Sequence, residues 1–249
     1  MNSSIEQLIS SANAGDMRAA LELAEKYIEE GTLGSYTQAL EWFKKVAATG
    51  DKYASLRVAG IYTALAPLYE DNGATDIALD MWNQGASYSA QGIPNANENM
   101  DYYDVAISMV EQSLYGAAAI YYLAGNNQLA IGRLELIGEH IPRANILMGI
   151  CKTGVIQDHS EFYTIAKLFA SAFDNSLPYA TIEGVGAARA IEQNVFAVGA
   201  CMFADMLISG NGVDPNPQKA SSILELAYNA ITDEKARDII KARLKAGAN

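Results

Sequence analysis

Cysteine, histidine and positive charge are all scarce in this chain of 249 residues. Its two cysteines and two histidines never fall at a zinc-ligand spacing such as Cys-x-x-Cys or His-Glu-x-x-His, so no metal site is predicted. Cys151 and Cys201 both lie in apolar helical patterns. We therefore expect buried, reduced thiols and no disulfide.

The shortage of positive charge restricts the possible partners. The chain has 17 Lys and Arg against 29 Asp and Glu, a formal net charge of −12. Such a charge repels nucleic-acid phosphate and anionic lipid, which argues against both nucleic acid and membrane as partners. A basic protein remains open as a partner.

No long hydrophobic run and no secretory signal are evident. The N-terminus, Met1 to Glu6, lacks the basic region and apolar core that characterise a signal peptide. The most apolar run, residues 117–124, is far shorter than the roughly 20 residues needed to span a bilayer. These features predict no transmembrane helix and a cytoplasmic location.

The residues that hydrolytic or redox catalysis needs are also missing from recognisable patterns. His140 precedes Ile-Pro at a helix end, and His159 lies in a helix-cap sequence, so neither is assigned as catalytic. The stretch from Gly184 resembles a dinucleotide loop, but Arg189 replaces its third glycine and no βαβ pattern surrounds it. We predict no enzyme activity and no cofactor.

What the sequence does contain is helix-forming residues and an internal repeat. The six prolines lie mostly at segment boundaries, and Ala, Leu, Ile and Glu fill the stretches between them, which predicts an all-α fold. Residues 15–27 recur 35 positions later. The identities are Gly15/Gly50, Asp16/Asp51, Ala19/Ala54, Leu21/Leu56, Ala24/Ala59 and Tyr27/Tyr62.

A second helix follows each copy, at an offset of 39 rather than 35, so the second copy has a four-residue insertion that we assign to a loop. Ala39, Leu40, Phe43 and Ala47 pair with Ala78, Leu79, Trp82 and Ala86. Gly31 should end the first helix, and the next should begin near Ser35. A helix pair cannot bury its apolar faces alone, so stacked copies are expected to form a solenoid.

The pattern resembles the Sel-one-like repeat (SLR) family, relatives of tetratricopeptide repeats. Gly210-Asn211-Gly212-Val213 followed by Lys219-Ala220 resembles the family's signature between loop and second helix, and Met148-Gly149 with Gly154-Val155 resembles another copy. The resemblance implies right-handed stacking of antiparallel helix pairs and a scaffold or partner-recognition role. Its motifs cover residues 15–90, 144–172 and 199–228.

The regions 91–143 and 173–198 match poorly, and we expect divergent helical repeats there. Residues 232–246 carry acids first and basic residues last, as expected of a polar capping helix. The prediction is a single domain over residues 1–249, an α-α superhelix of 13 or 14 helices in about six or seven antiparallel pairs. Capping boxes are predicted at Ser3, Ser35 and Asp158, and a proline-started helix after Asn216.

One segment stands out as a candidate partner-binding surface. Between Arg57 and Arg133 there is no Lys, Arg or His, yet there are eight acids and eight of the 14 tyrosines. If residues 101–115 are helical, an acidic face would lie opposite the apolar positions Tyr103, Ile107, Val110 and Leu114. The candidate binding residues are Asp101, Asp104, Glu111, Tyr102 and Tyr115.

These observations support a non-catalytic adaptor or scaffold that binds a basic protein partner. An immunity-type protein that occludes a basic toxin or enzyme fits the same surface. An enzyme with an unrecognised site in the divergent middle, and a self-assembling structural unit, are further alternatives.

Overall fold

Helix signals recur along the whole chain, and the computed structural model has the predicted all-α architecture. It describes residues 4–94, 102–137, 141–156, 158, 160–174 and 186–246, and over these residues it contains twelve α-helices and no strand. Their bounds are α1 Ile5–Asn13, α2 Met17–Glu30, α3 Leu33–Ala47, α4 Lys52–Asp71, α5 Thr75–Gly92, α6 Tyr103–Leu123, α7 Asn127–Leu134, α8 Pro142–Thr153, α9 Glu161–Asp174, α10 Gly186–Ser209, α11 Pro217–Ala230 and α12 Glu234–Ala246.

Consecutive helices pack in pairs, which confirms the helix-pair prediction. The chain divides into two compact units: unit 1 comprises Met1–Tyr69 and Ala74–Leu114, and unit 2 comprises Glu70–Gly73 and Tyr115–Asn249. Twelve helices in the described ranges are fewer than the 13 or 14 predicted. One continuous solenoid over residues 1–249 stays a prediction.

The repeated Gly-Asp of unit 1 starts its helices as the sequence predicts. Gly15 and Gly50 have φ angles of +95° and +89°, a conformation that favours glycine. The Asp16 carboxylate then accepts hydrogen bonds from two backbone amides of α2, and Asp51 accepts one from the amide of Ala54 at 2.8 Å. Both aspartates therefore cap a helix N-terminus.

The core of unit 1 consists of the predicted repeat positions. Phe43 and its counterpart Trp82 are both buried, beside alanines that let the helices approach closely. Tyr62 is buried and stacks on Tyr88 with ring centroids 6.1 Å apart. Tyr27 is only half-buried, so the two repeat tyrosines do not occupy equivalent environments.

The four-residue insertion in the second copy lengthens a helix rather than a loop. Helix α4 has 20 residues against 14 in α2 and continues past Pro67 to Asp71. Proline lacks an amide hydrogen, so Pro67 removes the bond that the carbonyl of Thr63 would otherwise accept. The helix nevertheless continues, because much of the turn before the proline is buried in the core.

Two of the predicted capping boxes are displaced from their expected positions. Helix α3 begins earlier than predicted, with a reciprocal cap between Thr32 and Ser35. Helix α1 is capped by Ser4 with Gln7, while Ser3 lies outside the described residues. The Asn216-Pro217 start of α11 is confirmed, since the Asn216 side chain accepts a hydrogen bond from the amide of Lys219.

In unit 2, glycines allow three helices to approach closely. A Cβ on Gly149 of α8 would lie 2.8 Å from the Phe169 ring of α9, and one on Gly199 of α10 would lie 2.4 Å from Ile146. Phe169 and Phe203 pack with centroids 6.0 Å apart, and Phe203 is fully buried. Gly149 of this core belongs to the Met148-Gly149 motif that the sequence identified as a repeat position.

The signature loop before α11 also packs as a repeat element. Gly212 has a φ of +70°, and a Cβ there would lie 2.3 Å from the backbone carbonyl of Phe162 at the start of α9. Only glycine fits such an approach to a neighbouring backbone. The loop is thus held against the preceding helix pair.

The predicted C-terminal helix forms and is fastened to α10. The buried Gln193 carboxamide oxygen accepts hydrogen bonds from the backbone amides of Thr232 and Asp233, each at 2.7 Å. Asp233 then caps α12 through the amide of Ala236 at 2.9 Å. An ion pair joins Arg243 of α12 to Asp205 of α10.

Helix α10 contains a stretch, Ile191–Ser209, that is long and apolar enough to cross a bilayer. This stretch does not stand out as an apolar run in the sequence, because polar residues interrupt it without making it polar on average. Most of it is buried within unit 2, where α8, α11 and α12 pack on α10. Core burial accounts for its composition.

Candidate protein-interaction surface

A stripe of mostly apolar residues along α4 in unit 1 is exposed or partly exposed. Its members recur at helical spacing, and they are Tyr53, Arg57, Gly60, Ala64 and Leu68. Tyr53 is 41% exposed and Leu68 is 54% exposed, although α4 otherwise contributes heavily to the core. From Tyr53 to Leu68 the stripe rises by 15 residue steps, or about 22 Å along an α-helix.

The stripe is the floor of a groove with a volume of about 500 Å³. Ile28 of α2 and Tyr36 of α3 form one wall, and Tyr102, Val105 and Met109 form the other. Tyr102 and Val105 are 48% and 45% exposed. We refer to this feature as the α4 groove. Contiguous exposed apolar surface of this kind is typical of an interaction site.

Arg57, the charged residue among the described lining positions of the α4 groove, is paired with a neighbour. The Arg57 guanidinium lies 2.6 Å from the Glu25 carboxylate, whose other oxygen accepts a hydrogen bond of 2.6 Å from the Tyr53 hydroxyl. Burial and this hydrogen bond raise the pKa of Tyr53. The Tyr53 ring meets Tyr102 edge-on at 6.5 Å. This network fixes the two tyrosines at one end of the groove.

The structure separates the residues that the sequence predicted to act together. Tyr102 lines the α4 groove, and Asp104, two residues further along the chain, is exposed. Glu111 is partly exposed, and Asp101 lies outside the described residues. Tyr115 is only 5% exposed and lies beneath the Arg143 guanidinium at 4.7 Å, so its assignment to a binding surface is wrong.

The predicted arrangement of faces on α6 is also only partly right. Asp104 and Ser108 are exposed as expected, but so is Tyr103, which was assigned to the apolar face. Val105 and Met109 line the groove instead. At 100° per residue their face is turned well away from the acidic face, so the acids flank the groove rather than line it.

The floor of the α4 groove was not identified from the sequence. Tyr53, Ala64 and Leu68 belong to a helix that is apolar on nearly every side, a pattern typical of a fully buried helix. The sequence signal for it is the excess of apolar residues on α4. A helix that faces solvent normally has one polar face, and α4 has almost no polar face. An apolar face without polar residues indicates either core or an interaction site.

The other candidate chemical groups do not form a site within the described residues. No three His, Cys, Asp or Glu side chains there lie close enough to hold a metal ion, and both histidines fall outside the described part. Cys151 is buried and Cys201 is partly exposed; both are free thiols. Burial raises the pKa of Cys151 to about 12 and that of Cys201 to about 11.

The fold and this surface define an all-α protein of packed helix pairs with an apolar groove. Comparison with solved structures finds SLR and Sel1 repeat proteins as structural neighbours, the family that the sequence motifs resemble. One is a protective antigen of uropathogenic Escherichia coli that displays an SLR fold, at 20% identity and a TM-score of 0.36. The match covers 99% of this chain and 53% of that one.

A second is a Sel1 repeat protein from Oxalobacter formigenes, at 17% identity and a TM-score of 0.25, with 96% of this chain and 90% of that one covered. The present chain spans about half the length of the first of these two structures, the E. coli antigen. No protein-family model matches the chain, and no curated protein matches it.

Proposed function

We propose that this protein is a non-catalytic interaction module that binds a protein partner in the α4 groove. The observation that carries the proposal is the contiguous exposure of Tyr53, Leu68, Tyr102 and Val105 around one hollow of unit 1. Tyrosine is enriched among the residues that dominate the binding energy of protein interfaces, and the apolar residues around it exclude water from the contact.

We further propose that the partner is basic. The formal net charge of −12 favours association with a positively charged protein, and no basic residue occurs between Arg57 and Arg133. Within unit 1, Asp76, Asp80 and Asp104 are exposed in this stretch. An adaptor or scaffold is the role that this combination supports best, and we propose a cytoplasmic location for it.

Affinity purification tests the proposal with a matched pair of variants. Leu68→Arg places a charge in the α4 groove, whereas Ile77→Arg places one on α5 outside it; both residues are exposed aliphatics of unit 1, at 54% and 49%. The wild-type chain and Ile77→Arg should retain the same host protein, identified by mass spectrometry, and Leu68→Arg should lose it. Retention by all three, or by none, would contradict the proposed site.

A further inference from the structure

The lining of the α4 groove restricts the conformation of its occupant. Among the described residues that line the groove, the polar side-chain atoms belong to Arg57 and the tyrosines, and Glu25 already pairs with Arg57. The floor and the second wall are helices, whose backbone groups bond within the helix. An extended peptide would find few side-chain partners for the backbone amides and carbonyls that it buried against this lining, and buried groups left unpaired disfavour binding. A helix satisfies its own backbone groups internally.

The length of the groove floor matches one helix. The floor of about 22 Å corresponds to about four helical turns. Ala64 is exposed near the middle of the floor, whereas Gly60 faces the Met109 side chain, which would lie 3.6 Å from a Cβ at that position. The small side chain of Ala64 allows a docked helix to approach the middle of α4 closely. Tyr53 and Leu68 would contact its two ends.

The charges beside the groove specify the flanks of that helix. Glu29 of α2 is exposed one residue from Ile28 on one wall, and Asp104 is exposed between Tyr102 and Val105 on the other. Arg57, the basic residue among the lining positions, is neutralised by Glu25. A helix with Lys or Arg on both sides of an apolar stripe is complementary to this arrangement.

We infer that the occupant of the α4 groove is an amphipathic helix of a partner protein, about 15 residues long, with an apolar stripe flanked by Lys and Arg. This inference rests on the proposed function and specifies the chemistry of the partner. The apolar stripe packs along α4, and the basic flanks face Glu29 and Asp104.

The test uses a fluorescein-labelled peptide of 15 residues, with leucines at i, i+4, i+7 and i+11 and lysines elsewhere. A second peptide has the same composition with its leucines distributed around the helix, and a third carries Glu in place of Lys. Fluorescence anisotropy measures binding to the full chain, and circular dichroism measures the helix that the peptide gains. The first peptide should bind and become helical, and the other two should bind on the order of 10-fold more weakly.

The matched variants locate the binding. Leu68→Arg should weaken binding of the first peptide on the order of 10-fold, whereas Ile77→Arg, which adds the same charge outside the groove, should leave it nearly unchanged. Val105→Arg on the opposite wall provides a second groove variant if Leu68→Arg does not fold. Equal binding to the groove variants and Ile77→Arg, or equal binding of the first two peptides, would overturn the inference.

Light scattering of the chain alone tests whether a second copy of the chain occupies the groove. A wild-type dimer that Leu68→Arg dissociates would show that a second copy fills the groove, which also overturns the inference. The proposed function can survive such a failure: a host protein retained by the wild-type chain but lost from Leu68→Arg, without binding of the basic peptide, would leave the groove as a partner site with a different occupant.

Discussion

At the scale of single residues, the two repeat tyrosines show that side chains at the same position of a repeat need not be equally buried. Tyr62 is buried against Tyr88, whereas Tyr27 is half-buried at the end of α2. We predict that Tyr62→Ala lowers the free energy of unfolding of unit 1 by about 3–5 kcal/mol, the usual cost of deleting a buried aromatic ring. Tyr27→Ala should cost clearly less, about 1–2 kcal/mol, because its ring is already partly solvated.

Urea denaturation followed by circular dichroism measures both losses. Tyr103→Ala, at an exposed tyrosine of the same unit, is the control and should change the unfolding free energy by less than about 0.5 kcal/mol. Equal losses for Tyr27→Ala and Tyr62→Ala would mean that the two repeats bury their tyrosines alike, contrary to the structure.

The two thiols should differ in reactivity. The thiolate is the reactive form, and burial keeps both groups protonated by raising the pKa of Cys151 to about 12 and that of Cys201 to about 11. At pH 8 we expect a disulfide reagent to label Cys201 slowly and Cys151 more slowly still, and to label both rapidly in urea. The Cys201 rate should keep rising above pH 9, where an ordinary thiol would level off.

Single Cys→Ser variants assign the two labelling phases. Rapid labelling of Cys151 in the folded chain would contradict its burial. A Cys201 rate that levels off near pH 9 would show that its pKa is not raised.

At the scale of helices, the glycines between α8, α9 and α10 set the packing distance. The Cβ of an alanine at Gly149 would lie 2.8 Å from the Phe169 ring, which is itself fully buried and cannot move aside freely. We predict that Gly149→Ala destabilises unit 2 by about 1–3 kcal/mol, the cost of overpacking a core. Differential scanning calorimetry or urea unfolding measures the change.

Gly132→Ala is the matched control, because Gly132 lies in α7 with nothing within 4 Å of the added Cβ. Alanine has the higher helix propensity, so this variant should be neutral or more stable by up to about 1 kcal/mol. Destabilisation of similar size at both positions would point to a general intolerance of alanine rather than to the contact with Phe169.

The attachment of α12 to α10 includes hydrogen bonds to one buried side-chain amide, that of Gln193. Gln193→Leu would leave the backbone amides of Thr232 and Asp233 without their acceptor, at a cost of about 1–3 kcal/mol. Hydrogen exchange should then quicken across α12, with the amides of unit 1 unchanged as the internal control. Protection of α12 equal to that of the wild type would show that its packing on α10 suffices without Gln193.

The elements that the sequence predicted well are those set by local chemistry. Gly15 with Asp16, Gly31, and Asn216 with Pro217 each specify a helix end through a cap or a φ angle, and the structure has a helix end at each. The extension of α4 past Pro67 was not predictable in this way. Proline is a local signal to end a helix, and burial of the surrounding turn outweighs it.

At the scale of the whole molecule, the candidate site also has one feature that the sequence could predict and one that it could not. Charge is visible in the sequence, so the acids of α6 could be identified, and Asp104 is indeed exposed. The apolar lining could not be identified, because Leu68 and Val105 have the same chemical character as core residues. Only tertiary packing decides which apolar face of a helix stays exposed, and for α4 that face is the floor of the groove.

The charge and the groove should act on different steps of binding. Long-range attraction accelerates encounter, whereas apolar contacts slow dissociation. We predict that the double variant Asp104→Lys with Glu111→Lys lowers the association rate constant of the basic Leu/Lys peptide several-fold at low salt, with little effect on its dissociation. Leu68→Arg should mainly accelerate dissociation.

Stopped-flow fluorescence at about 20 mM and 150 mM salt separates the two effects, because screening weakens the contribution of exposed charges as salt rises. The matched control is the double reversal Asp214→Lys with Glu225→Lys in unit 2, where both residues are exposed and the net charge changes by the same amount. If charge acts locally at the groove, the unit 1 variant should associate more slowly than this control. Equal rates for the two double variants would show that only the net charge of the molecule matters, and unchanged rates for both would place the attraction on acids elsewhere in the chain.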